Sequence, residues 1–223
     1  MEGWAGVVLA GGMGTRMKSR VPKVLHQVCG QEMIFYPITA LREAGIERVV
    51  VVVSPVTERR VRDLLGESVE YVLQSEAMGT GDALFQTTPF LKGQVSQVVV
   101  LQAGSPLIRP ATIQALYSLH VAQDACITLL SGHQGLHQRL GEVVRNEEGQ
   151  VVRIVEPDQP EGSGAQSSEV NGGVYCFQAF WLWDNLGEIP REANGESFLP
   201  TLVSMAHSQT MKVEVLESED SDE

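Results

Sequence analysis

The chain is poor in the groups that build covalent or metal frameworks. It has only 3 cysteines in 223 residues, Cys29, Cys126 and Cys176, widely spaced and without a C-x-x-C pair. An odd, scattered set indicates neither a disulfide framework nor a zinc site, and the three read as buried thiols. The stretch from Gly132 to His137 carries two histidines but no neighbouring acid, a poor metal cage. No apolar run approaches the ~20 residues that a membrane span needs. Met1-Glu2-Gly3-Trp4 lacks the basic region of a signal peptide, so a cytoplasmic protein without membrane contact is expected. Basic charge is also scarce: 16 Lys and Arg against 28 Asp and Glu leave a net −12. That balance excludes the broad basic surface of a nucleic-acid binder. No internal repeat is found. What remains, 43% hydrophobic and 20% charged residues, is the composition of an ordinary globular domain.

Acid is itself missing from one stretch. No Asp or Glu occurs between Glu2 and Glu32, while Arg16, Lys18, Arg20 and Lys23 fall within eight positions. A locally positive loop on an acidic chain suits a polyanionic small molecule. The loop follows an apolar run from Ala5 to Ala10 that reads as a buried strand, so Gly11, Gly12 and Gly14 stand where a first strand gives way to a turn. Without Cβ atoms, these glycines let backbone N–H groups converge on an anion. Two standard nucleotide loops fail on the same residue. A dinucleotide fingerprint from Gly12 and Gly14 needs a third glycine where Met17 stands, and a Walker A loop ending in Lys18-Ser19 needs a glycine there too. The longer string A-G-G-x-G-T-R-M-x-S-x-x-P-K is more specific than either.

The rest of the chain alternates. A helix over Met33–Ala44 precedes the valine run Arg48–Val53, whose continuity marks a strand covered on both faces. Pro55 opens a helix that ends at Gly66, and a third strand spans Val69–Leu73. Gln74 follows with S-E-A-M-G-T-G, then a helix from about Asp82. A strand over Gln97–Leu101, a helix over Ala111–Val121 and a strand over Ala125–Leu130 continue the pattern, which predicts an α/β fold with a mostly parallel sheet. On the helix over Ala111–Val121, His120 lies on the core stripe and reads as a satisfied buried histidine. The second half changes character. Glu142–Arg145 and Val151–Val155 read as a hairpin in a smaller antiparallel lobe, over roughly residues 140–178. Residues 157–168 read as a mobile loop and Glu169–Phe177 as a strand. Trp181 and Trp183 cover a core edge or stack on a sugar. A helix over Ser197–Ala206 and a strand over Met211–Leu216 close the domain, leaving residues 217–223 as an acidic disordered tail.

The loop string, with P-K-V-L-H after it and Q-S-E-x-x-G-T-G later, resembles the signature of sugar-1-phosphate nucleotidyltransferases. In particular it is similar to the N-terminal pyrophosphorylase domain of bacterial N-acetylglucosamine-1-phosphate uridyltransferases, with motifs in the same order from about Ala5 to Val203. The resemblance implies a Rossmann-like nucleotide-diphospho-sugar transferase fold, forming one domain over residues 1–216 without the acetyltransferase β-helix of bifunctional members. It implies transfer of UMP from UTP to N-acetylglucosamine 1-phosphate with release of pyrophosphate. It also assigns roles. Leu9, Ala10, Gly11, Gly12, Gly14, Gln74, Gly79, Thr80 and Gln102 match nucleotide-binding positions. Arg16 and Lys23 match catalytic ones, and Gly141, Glu156 and Asn171 match the sugar site.

Three departures stand out. Where the family carries G-D-x-P-L, with the aspartate holding magnesium, this chain reads Ala103-Gly104-Ser105-Pro106-Leu107, so Gly104 has no side chain to offer. The family's second magnesium ligand, an asparagine beyond the last strand, would be expected after Glu223. Gly172 stands where the family usually has Thr beside the sugar-binding asparagine. Magnesium is therefore expected from the family with its protein ligands missing, leaving Asp82 or Glu156 as substitute holders. Two alternatives stay open: a catalytically silent nucleotide or nucleotide-sugar binder, and a transferase for another nucleotide or sugar. The oligomeric state is not legible.

Overall fold

The computed structural model describes residues 3–133, 140–157 and 169–218, with Arg16 described in its backbone only. The first half builds parallel strands β1 (Trp4–Leu9), β4 (Val49–Val53), β5 (Glu70–Leu73) and β6 (Gln97–Gln102). All five valines of β4 are buried, as a strand sandwiched between helical layers requires. The crossovers carry α1 (Phe35–Glu43), α2 (Glu58–Leu65), α3 (Gly79–Phe85) and the short α4 (Thr88–Leu91). Helix α5 (Pro110–Ala122), opened by proline at its first position, leads to β7 (Ile127–His133).

The second half adds β8 (Glu142–Arg145), β9 (Val151–Val155), β10 (Glu169–Gln178), α6 (Ala179–Asn185), α7 (Thr201–Ser208) and β11 (Val213–Glu217). The main sheet runs β11–β7–β10–β6–β1–β4–β5. Neighbours are parallel except at β10, which lies antiparallel to both β6 and β7. The β8–β9 hairpin is antiparallel as predicted. It is not a separate sheet, because Glu142 pairs with Val170 and ties the hairpin to β10. Hydrophobic side chains pack on both faces of the sheet in two buried clusters. Among the described residues no helix is long and apolar enough to cross a membrane.

Several boundaries moved for physical reasons. Helix α3 begins at Gly79 instead of Asp82, and α7 at Thr201 instead of Ser197, because residues 197–199 are held by the start of α3. The Gly81 amide donates to the Ser197 carbonyl at 2.9 Å, and the Ser197 amide donates to the Met78 carbonyl at 2.8 Å. Cys29 is exposed, not buried: it turns the small hairpin between β2 (Gln27–Val28) and β3 (Gln31–Glu32) at a φ of 50°. Cys126 and Cys176 are buried, and burial pushes the Cys126 thiol up to about 12. Strand β11 extends through Glu217, which pairs with Ser131, so that residue belongs to the sheet and not the tail. Residues 219–223, most of the 157–168 loop and residues 134–137 of the glycine-histidine stretch lie outside the described residues.

His120 is buried and satisfied. Its Nδ1 lies 2.9 Å from the Thr128 hydroxyl, and the Gln97 side-chain amide donates to Nε2 at 3.0 Å. Trp181 and Trp183 are buried on α6, and Trp181 Nε1 donates to Gln209. They belong to the core, the first of the two alternatives.

Candidate active site

Strand β1 has β4 on one side and β6 on the other, so the chain order reverses there. In open α/β sheets this switch point leaves a crevice beyond the strands' carboxyl ends. Leu9 and Gln102 end β1 and β6 in register. Past them the Ala103 amide donates to the Leu9 carbonyl at 3.0 Å, and the Ala10 amide to the Val52 carbonyl at 2.8 Å. The glycine loop and the segment through Gly104 therefore leave the sheet side by side. Above them opens a cleft of about 740 Å³.

Leu9, Gly12, Gly14 and Lys23 line this cleft, with Thr80, Gln102 and Gly104. Ala10 is buried beneath it. Gly14 adopts a φ of 67°, and the loop folds back so that the Lys23 amide donates to the Met13 carbonyl at 3.3 Å. Lys23 thereby packs on Gly14, where an added Cβ would come within 2.5 Å of the lysine Cβ. Its other end rests on the facing segment: a Cβ on Gly104 would lie 2.5 Å from Lys23 Nζ. Two glycines 90 residues apart in sequence thus make the slot for one lysine. No carboxylate among the described residues forms an ion pair with it. Arg16 lies in the 3-10 turn Thr15–Met17, and its side chain is outside the described residues.

Gln74 is buried at the end of β5. Its amide donates to the Gly79 carbonyl at 3.0 Å and to Asp82 Oδ2 at 2.8 Å, while its carbonyl oxygen faces Gly11. The expected donor for a base edge is therefore engaged in holding α3, and the acceptor side faces the glycine loop. Gly79 has a φ of 92°, and a Cβ there would run into the Ser197 carbonyl. The Thr80 hydroxyl does not cap α3; it accepts from the Leu199 amide at 2.9 Å. This brings Phe198, Leu199 and Pro200 into the cleft wall. Sequence reading missed that segment, since no motif marks it and only the contact with the G-T-G turn brings it in.

The opposite wall comes from β8, β9 and β10. Gly141, Glu156 and Asn171 line it together. The Asn171 amide donates to the Gly141 carbonyl at 2.8 Å. A Cβ on Gly141 would come 3.1 Å from Glu156 Oε1. The register of β10 against β7 shifts between Asn171 and Tyr175, a bulge of the kind that re-aims side chains beside sites. Within it the Gly173 amide donates to Asn171 Oδ1 at 3.0 Å. Tyr175, buried at the base of this wall, was read only as strand; burial raises its hydroxyl pKa.

The residues present do not fit a protein-held divalent cation. Such an ion usually needs one or two carboxylates. Among the described residues no cluster of acids, histidines or cysteines could hold one, and Glu156 is the one acid lining the cleft. Asp82 is committed elsewhere, its two oxygens accepting from Gln74 and Gln86.

A switch-point cleft with a glycine loop, a lysine slotted between Gly14 and Gly104 and a wall pairing acid with amide is the arrangement of a nucleotide-sugar transferase type of α/β fold. The chain belongs to the nucleotidyl transferase family, whose model matches residues 5–221. It is 40% identical over 202 residues to the bifunctional protein GlmU of Pelotomaculum thermopropionicum, covering 90% of this chain and 44% of that protein. It is 38% identical over 225 residues to the bifunctional protein GlmU of Pelobacter propionicus, covering 100% of this chain and 49% of the relative. The chain thus spans just under half the length of these relatives.

Proposed function

We propose that this chain is a UTP:N-acetylglucosamine-1-phosphate uridylyltransferase. A phosphate oxygen of the sugar 1-phosphate attacks the α-phosphorus of UTP, the bond to the β-phosphate breaks, and pyrophosphate leaves. Attacker and target are both anionic, so the protein's work is alignment and charge neutralisation. In this reading the backbone from Leu9 to Gly12, with Gly14, receives the phosphates, Lys23 lies against the transferring group, and Arg16 takes the departing pyrophosphate through its planar fork. Gln74, Gly79, Thr80 and Gln102 hold the nucleoside, while Gly141, Glu156 and Asn171 meet the sugar hydroxyls and N-acetyl group. UTP and the sugar phosphate are the partners, and a cytoplasmic setting belongs to the same proposal.

The observation that carries the reading is the convergence of Lys23 and the Glu156–Asn171 wall on one cleft from opposite halves of the chain. Among the described residues none offers magnesium a fitting site, so alignment and charge neutralisation fall to the chain's own basic groups. Purified chain with both substrates should release pyrophosphate, and Lys23→Ala should slow release by about 10- to 100-fold, the worth of one charge-assisted contact. Equal rates for the two proteins would overturn the reading. A second reading, a nucleotide-sugar binder without turnover, is favoured by the missing carboxylate at Gly104. Binding of UDP-N-acetylglucosamine with no pyrophosphate release would select it.

A further inference from the structure

Among the described residues, the cleft beside Gly104 carries a cation of its own and no acid cluster to hold a second. The described cleft-lining side chains beside Gly104 are Lys23, Gln102 and Ser105, one ammonium and two neutral groups. Lys23 Nζ stands where a side chain on residue 104 would begin, 2.5 Å from that Cβ position. A carboxylate at 104 and the lysine in its present place would therefore compete for the same space. Any carboxylate admitted there would also pair with the ammonium and neutralise it toward phosphate. Gly104 removes both effects at once.

We infer that this cleft takes its nucleoside triphosphate without a protein-held divalent cation, with the Lys23 ammonium paired directly to phosphate and Gly104 keeping that ammonium free. This rests on the uridylyltransferase reading only so far as the cleft takes a nucleoside triphosphate. A metal-free triphosphate carries more negative charge than its magnesium complex. A site built on basic side chains binds the free form at least as tightly, whereas a site that needs a carboxylate-held ion binds it much more weakly.

The test is UTP binding by calorimetry, in chelator and in excess magnesium, for the purified chain and for Gly104→Asp, Gly104→Asn and Lys23→Ala. The dissociation constant of the unaltered chain should change by less than about threefold between the two conditions. Gly104→Asp should lose about tenfold or more in chelator and recover with magnesium, since its carboxylate neutralises Lys23 until an ion intervenes. Gly104→Asn imposes the same bulk without charge, and it should lose clearly less than the aspartate variant in chelator. Lys23→Ala should weaken binding in both conditions. The added atoms meet only the far end of a flexible side chain, so all variants should unfold at similar midpoints.

An unaltered chain whose affinity rises about tenfold or more with magnesium would overturn the inference and leave the transferase reading standing. Equal losses for the aspartate and asparagine variants would also overturn it, by assigning the effect to bulk. Absence of UTP binding under every condition would overturn both the inference and the reading beneath it.

Discussion

At the scale of single residues, the molecule separates a histidine that serves the fold from a lysine that serves the cleft. His120 is buried between Thr128 and Gln97, with its ring edge toward Trp4. Loss of solvation lowers its pKa to about 4, against a weaker opposing pull from Asp124. A folded-state value below the unfolded value of about 6.5 means that the unfolded chain binds more protons between those limits. Stability from the neutral histidine is therefore complete above about pH 6.5 and lost as pH falls toward 4. By pH 5 the loss should be about 2 kcal/mol. Urea unfolding at pH 7 and pH 5 measures it, and His120→Gln, which cannot titrate, should show a smaller difference. An equal fall in both proteins would assign the pH dependence to carboxylates.

At the scale of elements, the cleft depends on how the turn before α3 is clamped. Gly79 sits at a φ that other residues rarely adopt, tight against the Ser197 carbonyl, while Gln74 and Thr80 tie the same turn to β5 and to Leu199. Gly79→Ala combines left-handed backbone strain with a clash against backbone, so it should cost about 2 kcal/mol or more of stability. It should also weaken UTP binding, because Thr80 moves with the turn. Urea unfolding and calorimetry would read both effects, and a variant unchanged in both would mean that the segment at 197–199 does not brace the site. This clamp also explains what was legible in the sequence. The valine run of β4, the β8–β9 hairpin and the proline-opened α5 declare themselves through local periodicity and turn chemistry, and the structure has them near their predicted limits. The starts of α3 and α7 are set by contact with each other across more than 100 residues, which no local pattern carries. The exposure of Cys29 follows from a two-residue turn hidden among polar residues. Within the site, the place of the glycine loop directly after the first strand was legible. The use of Gly14 and Gly104 as the two sides of a lysine slot was not, since it arises only when β1 and β6 pair in register.

At the scale of the whole molecule, the cleft exists because its two walls belong to one sheet. Strand β10 carries the Asn171 bulge and then pairs on one side with β6, which leads to Gly104, and on the other with β7. The Lys23–Gly104 end and the acid-amide wall are thus fixed to each other by backbone hydrogen bonds through a single central strand. Phe177 lies near the end of that strand, fully buried and stacked on Tyr175 with ring centroids 5.7 Å apart. Phe177→Ala should cost about 3–5 kcal/mol, the usual loss for deleting a buried aromatic ring. If the sheet is one cooperative unit, that loss lowers the midpoint of a single transition, and far-ultraviolet and tryptophan signals shift together. Trp181 and Trp183 report α6 and Trp4 reports β1, while the far-ultraviolet signal sums the entire sheet and its helices. Separated transitions would mean that the β8–β10 wall unfolds independently of the half built on β1, β4, β5 and β6. In that case the two walls would be joined by ligand and not by the strand between them.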